Sequence, residues 1–431
     1  MTALDAPRPL AGIRVLAWEQ AVALPMATRL LANLGATVVR LESHHRTQPR
    51  PRYLANDLIQ DKQSIALDLT DPAARAVAKR LAATADVFCE NFTPRVKRQF
   101  GLAYEDLRED NPGLVMLSLS GYGQTGPWSD RPTYGPGIEA ASGHALSAGF
   151  PDAPPTRPGT VVYADNISGW YATLAVLGAL ARRKRTGEGA YIDLAMYEAN
   201  AFHLGPVIAR SSITGQPAPR RGNSDEAALL QDVFAAAGDE RWLAVTVYPG
   251  QDTAARAVIG RAESGVPLRD ALASWAATQD ATSAAETLQA AGIAAAPVLD
   301  AKDLLLNSHL DARGAFSLVE HAAPVHGYPA HPHAGLPWRT TGHDEPAIEE
   351  APAIGEHSRA VLGDWLDMPA TEIDALFASG ALGEHPGDPP ERGRTPPETA
   401  ARRLDWRLIS GYDGNPEERI GLETGGAWPA T

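Results

Sequence analysis

One carboxylate in this chain stands where its neighbours could give it chemistry to do. The segment Tyr163-Ala-Asp-Asn-Ile-Ser-Gly169 puts Asp165 between a strand-like run over 160–163 and a long apolar helix from Trp170 to Ala181. That helix closes on Arg182, Arg183, Lys184 and Arg185, ahead of the turn Thr186-Gly-Glu-Gly189. A carboxylate at a helix start lies near unpaired backbone N–H groups and the positive end of the helix dipole. An Asp there, ordinarily near about 3.9, is expected to titrate lower still and to stay ionised at neutral pH. By itself the pattern is that of an N-cap.

Other chemical signals are weaker. Gly121-Tyr-Gly-Gln-Thr-Gly126 follows a strand and has the glycine spacing of a dinucleotide loop. That loop must open a helix onto a pyrophosphate, and here Pro127 to Pro132 follow, so a nicotinamide or flavin site is not expected. His321, His326, His331 and His333 share no helical face, and Pro324, Pro329 and Pro332 interrupt them. They read as solvated loop histidines, and no metal is expected. Neither a Gly-x-Ser-x-Gly elbow nor a Walker A loop occurs. Cys89 sits in an apolar strand and reads as an inert core thiol.

The bulk properties narrow the class. The chain has 431 residues, 44% hydrophobic and 21% charged, as in a soluble protein with more than one core. No apolar run approaches the ~20 residues that cross a bilayer. No signal peptide is visible, so a cytoplasmic protein without a membrane partner is expected. One cysteine excludes an internal disulfide. A net charge of −14 argues against nucleic acid as a partner, while a small polyanion remains compatible with a local basic cluster.

The elements that would hold Asp165 alternate. Strands are expected over 13–18, 37–41, 64–69, 86–90 and 114–120, with helices over 25–34 and 72–83 and a helical turn over 104–109. Gly35 ends the first helix. This is βαβ patterning, which predicts a Rossmann-like doubly wound α/β domain with a parallel sheet. After the Pro/Gly/Arg linker 216–223, residues 234–247 read as β structure, 268–291 as helix and 293–299 as a strand. The expected organisation is a large domain over 1–213, a smaller α+β domain over 224–326, a return to the large domain over 338–384, and a Pro-rich arm over 385–431. Residues 331–339 read as a connection, and Trp406, Leu408 and Trp428 as packing points of the arm.

Several segments together resemble one family. They include Pro9-Leu-Ala-Gly-Ile-Arg-Val-Leu16, Leu31-Ala-Asn-Leu-Gly-Ala-Thr-Val-Val-Arg-Leu-Glu42, Lys62-Gln-Ser-Ile-Ala-Leu-Asp-Leu69 and Ala85-Asp-Val-Phe-Cys-Glu-Asn-Phe92. Residues 120–127, 185–189, 291–298, 312–316 and 354–358 add to them, in order. The chain resembles the class III CoA-transferases, the CaiB/BaiF group typified by formyl-CoA transferase and carnitine CoA-transferase. The resemblance implies that Asp165 is the nucleophile, carrying an acyl anhydride and then an aspartyl-CoA thioester between an acyl-CoA and a carboxylic acid. It implies CoA contacts at Gln20, Leu67, Asn91, Phe92, Thr93, Arg98 and Tyr134, with Arg and Lys near the ends of the first strands. CoA and acyl-CoA are then substrates, no cofactor is held permanently, and the partner is a second copy in an interlocked homodimer.

This chain also departs from the family pattern. Leu24 replaces a common glycine and is expected to fill a space usually left open. Gln99, beside Arg98, replaces a common basic residue. Residues 43–47 replace a Pro/Gly/Asp segment, Gly135 stands where an aspartate is common, and 251–268 is short. Two rivals share the fold: an acyl-CoA racemase or epimerase, which needs a second acid/base such as a histidine, and a non-catalytic acyl-CoA-binding homologue. Residues 132–134 supply no histidine, and His144 lies ten residues beyond Tyr134.

Overall fold

A computed structural model describes residues 8–45, 52–156, 161–261, 265–325, 328–341 and 347–384. The arm over 385–431, His326 and Thr47 lie outside the described residues.

Strand and helix alternate as the sequence predicts: β1 (Arg14–Trp18), α1 (Ala23–Asn33), β2 (Thr37–Glu42), α2 (Arg52–Ile59), β3 (Gln63–Ala66), α3 (Pro72–Thr84) and β4 (Val87–Glu90). They continue through α4 (Pro94–Gln99), α5 (Tyr104–Leu107), β5 (Val115–Ser120), α6 (Gly135–Ala141), α7 (His144–Ser147), α8 (Tyr163–Thr186), β6 (Ala190–Ala195) and α9 (Met196–His203). The six strands form one parallel sheet in the order β3-β2-β1-β4-β5-β6. Both faces are covered, which explains why the strands are apolar runs without alternation. In β1, Val15 and Ala17 pack with α1 and α8, while Leu16 and Trp18 pack with α3 and the helices after residue 357. Local signals set the ends. Asp71 caps α3 by accepting from Ala73 N at 2.6 Å and Ala74 N, with Pro72 at its first position. Gly187, at φ 76°, closes α8.

Two compact units emerge. The first runs to His144, resumes to Pro206, and resumes again from His309. The second holds Ala145–Pro158 and Val207–Ser308. It contains α10 (Gly205–Thr214) for the most part, β7 (Leu230–Ala235), β8 (Trp242–Val247), α11 (Asp252–Val258), α12 (Leu268–Ala276), α13 (Ala281–Ala290), β9 (Ala294–Val298) and α14 (Ala301–Leu305). Its strands form an antiparallel sheet in the order β7-β8-β9, around a core that includes Phe234, Leu243, Leu272 and Leu288. The single helix expected over 268–291 is two helices. Asp280 breaks it by capping Ser283 N at 2.9 Å from an extended backbone. The linker 216–223 is packed structure: Arg220 donates to the Phe150, Pro151 and Ala153 carbonyls.

The remaining elements are α15 (Ser308–Ala312), β10 (Phe316–Val325), β11 (Tyr328–Ala334), α16 (Ser358–Leu366) and α17 (Ala370–Ser379). β10 and β11 are an antiparallel hairpin belonging to the first unit, where the sequence suggests part of the smaller domain and a connection. α16 brings Val361, Leu362 and Trp365 into the core beside α3.

The close approach of α8 to α1 is set at Gly169. A Cβ there would meet the Ala23 carbonyl oxygen and Met26 Cγ, both at 2.9 Å. Gly169→Ala gains up to about 1 kcal/mol of helix propensity. It must also push backbone against backbone, at a cost of about 1–3 kcal/mol. The variant is expected to unfold at lower urea concentration than the parent; an equal or higher midpoint would show that this contact is not a constraint.

Candidate active site

Two carboxylates meet at the start of α8. Glu139, on α6 and buried, accepts from Tyr163 N at 2.8 Å and Ala164 N at 3.4 Å. It therefore caps a helix from which it is separated by more than twenty residues of chain. Asp165 lies inside the first turn, because Tyr163 is already helical and Val162 is the boundary residue. Residues 161–163, the described part of the strand-like run, are thus not a strand, and Asp165 is not the cap. Asp165 is 8% exposed, and among the described residues no donor reaches its carboxylate. Burial, and after it the charge of Glu139, pushes its pKa up from 3.8 to about 6. The expected downward shift is corrected: the helix donors that would have lowered it are taken by Glu139.

Gly135 explains how the carboxylate fits. A Cβ at that position would occupy the space of Asp165 Oδ2 and Val162 Cγ1. The aspartate common at this point in the resembled family has no room here.

Two cavities adjoin the strand ends of the first unit. One, of about 290 Å³, is lined by Trp18, Gln20, Leu41, Leu67, Leu69, Phe92 and Phe100 together with Glu19, Glu42 and Asp68. The other, of about 420 Å³, is lined by Gln20, Asn91, Phe92, Thr93, Ser120, Arg131, Thr133 and Tyr134 among others. Gln20, Phe92 and Val96 line both. They sit past the carboxyl ends of β1 and β4, where the strand order reverses and open α/β sheets bind ligands. Tyr134 lines the second cavity, and the next residue, Gly135, packs against Asp165, which is in the lining of neither cavity.

Of the residues singled out in the sequence, Gln20, Leu67, Asn91, Phe92, Thr93 and Tyr134 line these cavities. Arg98 does not; it is exposed on α4. The Asn91 amide is engaged in holding the turn after β1, accepting from Gln20 N at 2.9 Å and donating to Gln20 O at 2.8 Å. Leu24 is buried in the core beneath α1 and lines neither cavity, so it does not fill ligand space. The basic residues at the first strand ends are also committed. Arg40 and Lys62 both bind the buried Glu19 carboxylate, at 2.7 and 2.9 Å. Burial, partly offset by Glu19, lowers Lys62 to about 8.

The match of the chain with known proteins follows this geometry. The model of CoA-transferase family III matches residues 10–358. The chain belongs to that family. It is 30% identical over 419 residues to a succinyl-CoA–D-citramalate CoA-transferase of Chloroflexus aurantiacus, covering 89% of this chain and 100% of the relative. It is 28% identical over 408 residues to a mouse succinyl-CoA:glutarate CoA-transferase, covering 88% and 92%. Its fold is similar to a CAIB/BAIF family protein from Brucella suis, with a TM-score of 0.74 and 25% identity, over 84% of this chain and 100% of that one.

Within this family III chain, several polar residues escaped sequence reasoning. Glu139 carries no local motif. Lys97 is buried and donates to Glu90 Oε1, Ser118 Oγ, Gln124 Oε1 and Tyr191 OH at 2.6–3.0 Å, tying the loop after β5 to three strands. Arg131, stacked 4.8 Å over Trp128, is the guanidinium in the second cavity. No helix among the described residues is long and apolar enough to cross a membrane. Cys89 is buried, and burial pushes its thiol up, as a core thiol requires.

The histidines need correction. Across the hairpin Val319 faces His331 and Ser317 faces His333, so the two strands bring His321, His331 and His333 together. His321 and His333 are buried, and the rings of His321 and His331 stack at 4.2 Å. Burial, with the neighbouring imidazoles, lowers His331 to about 4 and His333 to about 3. They are not solvated loop residues.

The raised pKa of Asp165 has a stability consequence. An acid shifted upward in the fold favours folding fully below its unfolded pKa, and that contribution is lost as pH rises through the folded one. A rise from 3.8 to about 6 corresponds to about 3 kcal/mol. Asp165→Asn removes the titration, so the variant is expected to exceed the parent in stability by up to about 3 kcal/mol at pH 8. The difference should shrink toward pH 4. Urea unfolding at both pH values checks it, and a parent more stable at pH 8 would contradict the assignment.

Proposed function

We propose that this chain moves CoA from an acyl-CoA thioester to a free carboxylic acid, with Asp165 as the nucleophile. The observation that carries the reading is a buried carboxylate left without donors and packed against Gly135, the residue that follows Tyr134 of the second cavity. Asp165 Oδ attacks the thioester carbonyl, the C–S bond breaks, and CoA leaves as thiolate from an acyl-aspartyl anhydride. The thiolate then attacks the aspartyl carbonyl, the anhydride C–O bond breaks, and the donor acid leaves. An acceptor carboxylate and the same thiolate reverse both steps and regenerate Asp165. No net proton is needed. At pH 7 a carboxyl titrating near 6 is about nine-tenths ionised, and its shallow solvation favours attack.

The apolar and aromatic walls around Trp18, Phe92 and Phe100 suit an adenine, while Glu19 and Glu42 are balanced by Arg40 and Lys62 and offer phosphates no free cation. The pantetheine arm then follows the shared wall toward Tyr134. The named donors of the relatives suggest succinyl-CoA first, and Arg131 offers a guanidinium to a second carboxylate. CoA enters as a substrate, with no resident cofactor and a cytoplasmic setting.

The racemase reading keeps one supporting observation. His144 is buried, packs 5.2 Å from Tyr163, and has an unpartnered Nε2. Burial lowers its pKa, leaving a neutral imidazole. Uptake of α-deuterium from deuterium oxide into a 2-methylacyl-CoA, without an acceptor acid, would favour it over transfer.

We also infer the interlocked homodimer. In the first unit, Leu174 and Phe202 are 63% and 74% exposed beside an apolar groove of about 400 Å³ that includes Tyr171, Ile192 and Leu194. Light scattering at micromolar concentration should give twice the chain mass, and a stable monomer would refute it.

Asp165→Asn keeps size and removes the attacking oxygen. Transfer is expected to fall by three orders of magnitude or more while the protein stays folded. Borohydride added to enzyme and acyl-CoA should convert residue 165 to homoserine, seen by peptide mass. Full transfer by Asp165→Asn, checked for deamidation, would end the nucleophile assignment.

A further inference from the structure

The His321, His331 and His333 cluster lies outside the proposed acyl-transfer chemistry and carries its own. His333 Nε2 is 3.1 Å from both His321 Nε2 and His331 Nε2, and one ligand nitrogen from each ring falls within 4.8 Å of the others. A tetrahedral zinc ion with Zn–N bonds of about 2.0–2.1 Å holds its nitrogens about 3.3 Å apart. We propose that these three imidazoles bind one divalent cation of the zinc type through their Nε2 atoms.

The surroundings support this assignment. Three Nε2 lone pairs cannot converge at this spacing without a proton or a cation between them. A proton on His333 Nε2 would have to be shared between two acceptors, whereas a cation engages all three at once. Two of the three ring nitrogens facing away from the centre meet side-chain amides: His321 Nδ1 lies 3.3 Å from Asn56 Nδ2 and His333 Nδ1 lies beside Gln60, while His331 Nδ1 has no partner among the described residues. His333 Nδ1 is 2.6 Å from Gln60 Oε1, which can accept its N–H. His321 Nδ1 has the Glu350 carboxylate at 3.9 Å. A metal-binding histidine usually gives its far N–H to an outer carbonyl or carboxylate, and the Asn56 and Gln60 amides would present a carbonyl to His321 and His333 when turned. The hydrogen bonds favour the turned Gln60 amide, donating to His333 Nδ1 and accepting from Arg29 Nε at 3.0 Å, because the other orientation sets the Gln60 NH2 against the Arg29 N–H groups. That orientation puts the proton on Nε2 and describes the metal-free form, so Gln60 reports occupancy.

Three neutral nitrogens of borderline softness select zinc, cobalt, nickel or copper over magnesium and calcium. The ligands come from both strands of the hairpin, and Asn56 and Gln60 contact it from the end of α2. The cation therefore cross-links the two strands of the hairpin, with Asn56 and Gln60 in its outer shell, and a solvent molecule completes its fourth position. This inference stands apart from the CoA reading.

The test is a cobalt titration of untagged, chelator-dialysed protein. One equivalent of Co2+ should produce the intense visible bands of a tetrahedral nitrogen site. Zn2+ should displace it and raise the thermal midpoint by a few degrees. His331→Gln and His333→Gln should each lose the bands, while His309→Gln, outside the cluster, should keep them. X-ray absorption on the zinc-loaded parent should count three imidazoles at about 2.0–2.1 Å, which decides the matter even if a variant unfolds. No uptake by the parent, uptake that survives both substitutions, or an absorption spectrum without histidine ligands would overturn the proposal.

Discussion

Two buried carboxylates share the first turn of α8, and only one of them receives its hydrogen bonds. Glu139 takes the Tyr163 and Ala164 N–H groups, which leaves Asp165 with desolvation and a like charge. The helix dipole alone would have made Asp165 an ordinary ionised cap. The competition for donors instead gives it an upward-shifted pKa and an uncommitted oxygen. Gly135 leaves the room that this oxygen occupies, and Gly169 lets α8 sit close enough to α1 for the turn to be covered. Three positions, two on α6 and one on α8, thus serve one carboxylate.

The same economy governs the cavities. The parallel order reverses between β1 and β4, so the loops after those strands diverge and leave a crevice. Its walls are kept in place by polar groups turned inward. Asn91 bridges the two loops through the Gln20 backbone, and Lys97 fastens the loop after β5. Glu19 neutralises Arg40 and Lys62 in the core, and removing one member would strand a buried charge. The cost is that no Lys or Arg lines the first cavity among the described residues. Positive charge enters only through Arg131 in the second.

Local patterns made the sheet legible. Apolar runs marked β1, β2, β4 and β5, Asp71-Pro72 marked a helix start, and Gly187 marked an end. Family segments pointed to Asp165 and to six of the seven expected contacts that line cavities. What escaped depends on pairs distant in sequence. Glu139 is unremarkable until α6 meets α8. The three histidines are spaced without meaning along the chain, yet antiparallel pairing turns positions twelve apart into neighbours. The short helix α4 faces Arg98 outward, while Lys97, one residue earlier, faces in, a difference that depends on how the helix is seated and that no local motif marks. Asp280 was visible in the sequence but hidden by the alanine run around it, where propensity masked a cap.

A raised pKa also bears on how an aspartate could serve the proposed transfer. The group must attack a thioester and later depart from an anhydride, and these demands oppose each other. A carboxylate stabilised by several N–H donors would leave easily but attack poorly. One titrating near 6 attacks better than an ordinary acid, yet is still mostly ionised at neutral pH. Its departure then depends on relief from Glu139 being unnecessary while it is acylated, because a neutral anhydride or thioester feels no repulsion. In the proposed cycle, burial and then the like charge would destabilise the free enzyme more than the covalent intermediates. That would narrow the gap between resting carboxylate and acylated states, which is what a carrier exchanging nearly isoenergetic thioesters requires.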